Sequence, residues 1–293
     1  MRSASRWGLA MLVCAAAASN LSAQTKWTTY GGNDWNQRYS TLTAINTTNV
    51  KSLVPRMVFQ TGISKLGSFE NTPIVVENMM YVTTPYNTLI AYNLDTGKQV
   101  WRYEHKLGTT IFCCGPNNRG VGVHGPHVYM GTLDAHLIAF DRMSGEVVWD
   151  NEVADPAFGY SITHAPLVIG NNVIVGVSGG EYGIRGHVTA YDAVTGKQVW
   201  RWYSIPAPKG DPTFDDAAPN GWYGNWVDAT PEGNNLNRNT GAEKADSAKY
   251  ADAWTRGGGG VWMTPAYDAE PRSHLRRGGQ PVARPRRQRA PGR

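Results

Sequence analysis

Two adjacent cysteines, Cys113 and Cys114 in the run Ile111-Phe-Cys-Cys-Gly-Pro-Asn-Asn-Arg119, are the residues of this chain best suited to unusual chemistry. Neighbouring Cα atoms lie about 3.8 Å apart across a trans peptide, closer than the roughly 4.4–6.8 Å of an ordinary disulfide. A bridge between them closes almost no chain, so it removes almost no unfolded-state entropy and is a poor staple. Its uses are redox chemistry or a flat, polarizable surface on which a ligand can lie. The alternative is a pair of buried free thiols, because cysteine packs as a small hydrophobe. Other polar residues are less telling by themselves. Glu70 and Glu181 read equally as solvated loop carboxylates, and Arg119 as half of a surface ion pair. His105, His124, His127, His164 and His187 lack zinc-site spacing and read as structural. Four glycines, Gly257 to Gly260, are followed by no Lys-Ser/Thr and no visible helix, which argues against a phosphate cradle and for close backbone approach.

The N-terminus bears on the cysteines. Residues 1–23 read as a secretory signal: Arg2 and Arg6, a short apolar stretch over 9–18, and Ser22-Ala23 as a small-residue cleavage site. The stretch is too short to span a bilayer, so membrane association is not indicated. Cys14 would leave with it. The two remaining cysteines would then be adjacent in an oxidising compartment, which favours the bridge. Net charge is +5, but 271–293 holds eight arginines and no acid; without it 20 Lys+Arg face 23 Asp+Glu, a net −3. An Arg/Pro-rich tail of this kind suits nucleic acid or an anionic surface. Its composition also fits GC-rich DNA read out of frame. The second reading is preferred, and no nucleic-acid partner is expected.

The elements that must position the cysteines are repeats. Ala91-Tyr-Asn-Leu-Asp-Thr-Gly-Lys-Gln-Val-Trp101 recurs as Ala139-Phe-Asp-Arg-Met-Ser-Gly-Glu-Val-Val-Trp149 and Ala190-Tyr-Asp-Ala-Val-Thr-Gly-Lys-Gln-Val-Trp200, with tryptophans 48 and 51 residues apart. A period near 50 points to a propeller or related repeat. Each unit reads as strand, turn, strand: Asn or Asp and Ser or Thr bond turn amides, glycine supplies a positive φ, and tryptophan packs on the neighbouring unit. Further strands are expected at 73–76, 79–83, 128–131, 166–169 and 173–177. Residues 54–61 read as an N-terminal strand, 204–250 as a long polar loop, and 262–267 as the start of another unit. The expected fold is all-β, an incomplete β-propeller of about three to four blades over 24–270. Such a repeat leaves an apolar face to be covered.

With the Trp repeats, the opening Tyr30-Gly-Gly-Asn-Asp-Trp-Asn-Gln-Arg-Tyr-Ser40, Cys113-Cys114 and Ser178-Gly-Gly-Glu-Tyr-Gly-Ile-Arg-Gly186, the chain resembles the pyrroloquinoline quinone (PQQ) dependent alcohol dehydrogenases, eight-bladed periplasmic quinoproteins. The resemblance covers about the first half of a family member. It implies that Cys113 and Cys114 form a vicinal disulfide against one face of PQQ and that Trp262 stacks on the other. It implies that Arg119 pairs with a quinone carboxylate or carbonyl, that Thr163, Ser178, Gly179 and Gly180 bond other PQQ oxygens, and that Glu70 lies close by. It makes Glu181 a ligand of the active-site metal, Ca²⁺ or a lanthanide, and it implies an alcohol substrate and a cytochrome c-type electron acceptor. The family's catalytic aspartate and asparagine metal ligand would lie beyond Glu270, so no residue here is named as catalytic and the chain alone is expected to be inactive. The alternative is a non-enzymatic propeller acting as a periplasmic binding or assembly scaffold, which needs neither the cysteine pair nor Trp262.

Overall fold

A computed structural model of the protein describes residues 27–269 except 66, 209, 215–227, 231, 247–248 and 250. The signal-like stretch and the arginine-rich tail both fall outside the described residues.

Three four-stranded antiparallel sheets form among the described residues, each a simple meander. The first holds β1 (Ile74–Val76), β2 (Met79–Thr83), β3 (Thr88–Asn93) and β4 (Lys98–Glu104). The second holds β5 (Gly122–His124), β6 (His127–Gly131), β7 (His136–Asp141) and β8 (Val147–Glu152). The third holds β9 (Leu167–Ile169), β10 (Asn172–Gly176), β11 (His187–Asp192) and β12 (Gln198–Tyr203). The strands expected from apolar alternation are present within a residue or two.

The repeat is also one of register. Ala91 faces Trp101, Ala139 faces Trp149 and Ala190 faces Trp200, with a bulge after each alanine. The turn side chain accepts from two amides every time: Asn93 from Asp95 and Thr96, Asp141 from Met143 and Ser144, Asp192 from Val194 and Thr195. The turn glycine has a second duty that spacing did not show. Gly145 has φ 76°, and a Cβ there would lie 2.6 Å from Cδ2 of Trp101 in the preceding sheet. Trp149 meets Gly196 of the third sheet the same way, at 2.8 Å. Each indole also donates to a carbonyl of the next turn, Trp101 to Arg142 at 3.1 Å and Trp149 to Ala193 at 3.4 Å.

Two apolar clusters fill the spaces between sheets. One joins Tyr81, Leu89 and Trp101 to Met130, Ile138 and Phe140. The other joins Tyr129, Leu137 and Ile162 to Val173, Val175 and Tyr191. Burying a side chain of this size stabilises by roughly 1.5–3 kcal/mol, so the sheets are held by face-to-face packing rather than by shared edges.

Three expectations need correction. Residues 54–61 join no ladder; they run beside the first sheet, where the Gln60 and Thr61 carbonyls accept from Tyr92 Oη at 3.3 Å and Arg102 Nη1 at 2.7 Å. Residues 262–267 start no strand among the described residues, because no partner strand lies beside them. Thr264 instead donates to Ala165 O at 2.8 Å, and the Tyr267 amide donates to Asp34 O at 2.7 Å. The polar stretch after β12 contains a short helix, α1 (Thr240–Asp246), none of whose residues is buried. No helix among the described residues is long and apolar enough to cross a membrane.

Candidate functional site

Each sheet is entered through a polar segment, and these segments meet. Glu70 lies shortly before β1, Arg119 before β5 and Thr163 before β9. Backbone bonds tie them in a row: the Thr72 amide donates to Arg119 O at 3.1 Å, and the Arg119 amide to Thr163 O at 3.0 Å. Ser161 and Ser178 exchange both backbone bonds, at 3.2 and 2.7 Å, and the Val261 amide donates to Val177 O at 2.8 Å. Segments far apart in sequence thus form one continuous rim.

The side chains of the rim converge as well. Arg119 Nη2 lies 2.5 Å from Glu70 Oε2, and Arg119 Nη1 donates to Thr163 O at 3.3 Å. The Thr163 and Ser178 hydroxyls share a bond of 2.9 Å, and Thr163 Oγ1 lies 3.3 Å from Trp262 O. The Arg119 guanidinium carbon sits 5.1 Å from the centre of the Trp262 ring. That indole is 49% exposed, so one large flat apolar surface is open beside a cation and two hydroxyls.

Cys113 and Cys114 are bridged, with Cα atoms 3.8 Å apart. Cys114 takes φ 60°, and Asn117 Nδ2 donates to its carbonyl at 2.9 Å. A carboxylate oxygen of Glu181 and both sulfurs lie within 4.8 Å of one another. The turn carrying Glu181 depends on Gly179, which has φ 116° and whose Cβ would fall 2.1 Å from Gly159 O. Gly180 lies against the Gly258 backbone, where its Cβ would stand 3.8 Å from Gly258 Cα. All ten residues singled out in the sequence therefore belong to this rim or the turns beside it.

Supports absent from that set hold the rim in place. Asp134, 4% exposed in the β6–β7 turn, accepts from His105 Nε2 at 2.9 Å, Thr132 Oγ1 at 2.6 Å and the Gly108 amide at 3.0 Å. These bonds hold its carboxyl well below the usual carboxylate range against the opposing effect of burial. They anchor the start of the disulfide loop, while Asn118 Nδ2, donating to Gly131 O at 2.9 Å, anchors its end. Next to Thr163, fully buried His164 accepts from the Gly176 amide at Nε2 (2.8 Å), which puts its proton on Nδ1, 2.8 Å from Ala165 O. Burial pushes its pKa down to about 4, so it is a neutral strut at ordinary pH. No local spacing marks Asp134 or His105 as partners, since they lie 29 residues apart on different elements.

The donor set suits a flat, anionic, oxygen-rich ring. A guanidinium and two hydroxyls can bond ring oxygens, and an exposed indole and a disulfide offer polarizable surfaces. Glu181 supplies the kind of oxygen a hard cation takes, although such a cation needs about six to eight donors and sulfur is a soft one.

Residues 27–232 match the family model described as PQQ: glucose/ethanol/alcohol dehydrogenase, beta-propeller domain. The chain is 36% identical over 263 residues to quinohemoprotein alcohol dehydrogenase ADH IIB of Pseudomonas putida, covering 87% of this chain and 34% of that protein. It is 37% identical over 238 residues to the lanthanide-dependent methanol dehydrogenase of Methylorubrum extorquens, covering 80% and 37%. The crystal structure of quinohemoprotein alcohol dehydrogenase from Comamonas testosteroni superposes with a TM-score of 0.68 at 31% identity, covering 86% of this chain and 35% of that one. The chain spans about a third of the length of these relatives, rather than the half expected from the resemblance. With the family model matched over residues 27–232, the chain belongs to the family of the PQQ glucose/ethanol/alcohol dehydrogenase β-propeller domain.

Proposed function

We propose that this chain forms a PQQ-binding wall of a quinoprotein that oxidises alcohols. The observation that carries the reading is the convergence of the Cys113–Cys114 bridge, Glu181, the Arg119–Glu70 pair, the Thr163–Ser178 hydroxyls and the open Trp262 ring on one rim. PQQ, when bound, would supply the two-electron acceptor for alcohol oxidation.

The chain's own residues bind and orient. The disulfide and Trp262 take the two faces of a flat ring. Arg119 turns part of its fork from Glu70 to a ligand oxygen, while Thr163, Ser178 and the backbone at Gly179 and Gly180 bond other oxygens. Glu70 keeps the guanidinium in plane. Glu181 offers its oxygen to a hard cation, Ca²⁺ or a lanthanide. No residue of this chain is assigned as the base that takes the alcohol proton, so the activity assigned to the chain itself is cofactor binding rather than turnover.

Relatives carry the names quinohemoprotein alcohol dehydrogenase, 1-butanol dehydrogenase and lanthanide-dependent methanol dehydrogenase. They support an alcohol as the substrate class and a cytochrome c-type acceptor as the partner. Export to the periplasm is part of the same proposal, resting on the signal-like residues 1–23. A non-enzymatic scaffold is not favoured, since it has no use for an exposed vicinal disulfide beside a carboxylate.

Equilibrium dialysis of the purified chain against PQQ tests the reading. Saturable binding of one PQQ per chain is expected; no retention of PQQ above a serum-albumin control would overturn it.

A further inference from the structure

Arg185 lies four residues beyond Glu181 and is 7% exposed. Its backbone pairs in parallel with Gly258. The Gly258 amide donates to Ile184 O at 2.8 Å, and the Gly186 amide donates to Gly258 O at 2.7 Å. Its side chain reaches the segment that leaves β12 and returns as 257–262. Nε donates to Ile205 O at 2.8 Å and Nη1 to Thr213 Oγ1 at 2.8 Å. The guanidinium carbon lies 3.8 Å from the centre of the Tyr203 ring and 4.6 Å from that of Trp254. One side chain thus gathers the departure of a long excursion, at Tyr203 and Ile205, and its return, at Trp254.

The chemistry of arginine explains the choice. A planar guanidinium can stack between two rings while donating in its own plane; an ammonium cannot do both. No carboxylate pairs with it directly among the described residues. Asp211 acts one step away, accepting from Thr213 Oγ1 at 2.5 Å. Arg185 Nη2 is buried and has no hydrogen-bond partner among the described residues.

We propose that Arg185 is a positioning residue that holds the Glu181 turn and the Trp262 segment in register across the rim. The proposal rests on the cofactor reading for what the register serves, but not for its geometry. Glu181 stands before the Arg185 backbone, Trp262 follows the Gly258 segment bridged to it, and the side chain holds the excursion between the two. Loss of the lock frees both walls together while the first two sheets stay as they are.

Hydrogen–deuterium exchange of the PQQ-free chain tests this with Arg185→Lys. Exchange at 179–183 and 257–262 is expected to quicken about tenfold, with β5–β8 unchanged. Unchanged exchange at both segments, or equal quickening in all three sheets, would overturn the proposal. Trp254→Leu, a milder change, keeps the hydrogen bonds and removes one ring; quickening confined to 257–262 supports the lock, and none contradicts it. In parallel, Arg185→Lys is expected to weaken PQQ binding about tenfold, or 1.4 kcal/mol. Should the wild-type chain bind no PQQ, the cofactor reading falls while the exchange experiment still decides the role of Arg185.

Discussion

Arg119 and Glu70 meet at 2.5 Å across the boundary between two sheets. Each stands just ahead of a first strand, Glu70 before β1 and Arg119 before β5, and Thr163 holds the matching place before β9. The site is thus built at one repeated position, where each sheet is entered. The repeat supplies a scaffold of rigid strands, and the entry segments differ in side chain, so three copies of one fold unit present a carboxylate, a guanidinium and a hydroxyl to the same rim.

Arg119 supplies a charge-assisted bond to a ligand oxygen, an interaction of about 1.5–3 kcal/mol. Arg119→Met is expected to weaken PQQ binding about tenfold or more by calorimetric titration. Arg119→Lys, which keeps the charge and loses the fork, is expected to fall between. Wild-type affinity in Arg119→Met would remove Arg119 from the site.

The vicinal bridge closes almost no chain, so its removal has little effect on unfolded-state entropy. The double change Cys113→Ser with Cys114→Ser is expected to shift unfolding free energy by less than about 1 kcal/mol in urea while weakening PQQ binding. A large loss of stability would instead make the bridge a structural staple.

Gly145 and Gly170 separate contact from conformation. Both have positive φ, but a Cβ on Gly170 meets nothing within 4 Å, whereas one on Gly145 would strike Trp101 at 2.6 Å. Gly145→Ala is expected to destabilise by about 2–4 kcal/mol and Gly170→Ala by about 1 kcal/mol. Equal losses would show that the indole does not bear on the turn.

Much of this was legible in the chain. The Trp101, Trp149 and Trp200 repeat announced strand, turn and strand, because turn chemistry and alternation are local. The cysteine pair announced itself by adjacency, and a family resemblance ordered the rest of the rim. The hidden parts are non-local. Asp134 and His105 meet because a turn of one sheet faces a loop leaving another, and the partners of Arg185 at Ile205, Thr213 and Trp254 lie in a polar stretch with no period. Residues 54–61 have strand-like composition, but they join no ladder and instead lie against side chains of the first sheet, Phe59 on Tyr92 and Thr61 at Arg102.

Acid should loosen the fold before it titrates the exposed carboxylates. His164 and His187 are buried and neutral, with pKa pushed down to about 4 and about 3, against about 6.5 in an unfolded chain. Below that value the unfolded state takes up protons the folded state refuses, so stability is full above pH 6.5 and falls as pH drops toward 4. Asp134 adds a loss of the same sign at lower pH, because its folded value is depressed. Each histidine should account for a loss on the order of 2 kcal/mol by pH 5. Urea midpoints at pH 7.5 and 5 check this, and His187→Gln should flatten the slope; a midpoint that is constant or rises at pH 5 would contradict it.

A double-mutant cycle of PQQ affinity between the sulfur pair and the indole is the most direct test of a single ring held by both. Calorimetry would compare wild type, Cys113→Ser with Cys114→Ser, Trp262→Ala, and the combination. Two walls of one slot depend on each other, so the combined loss should fall short of the sum by about 0.5 kcal/mol or more. Strict additivity, or affinity indifferent to either wall, would show that the bridge and the indole do not share a ligand.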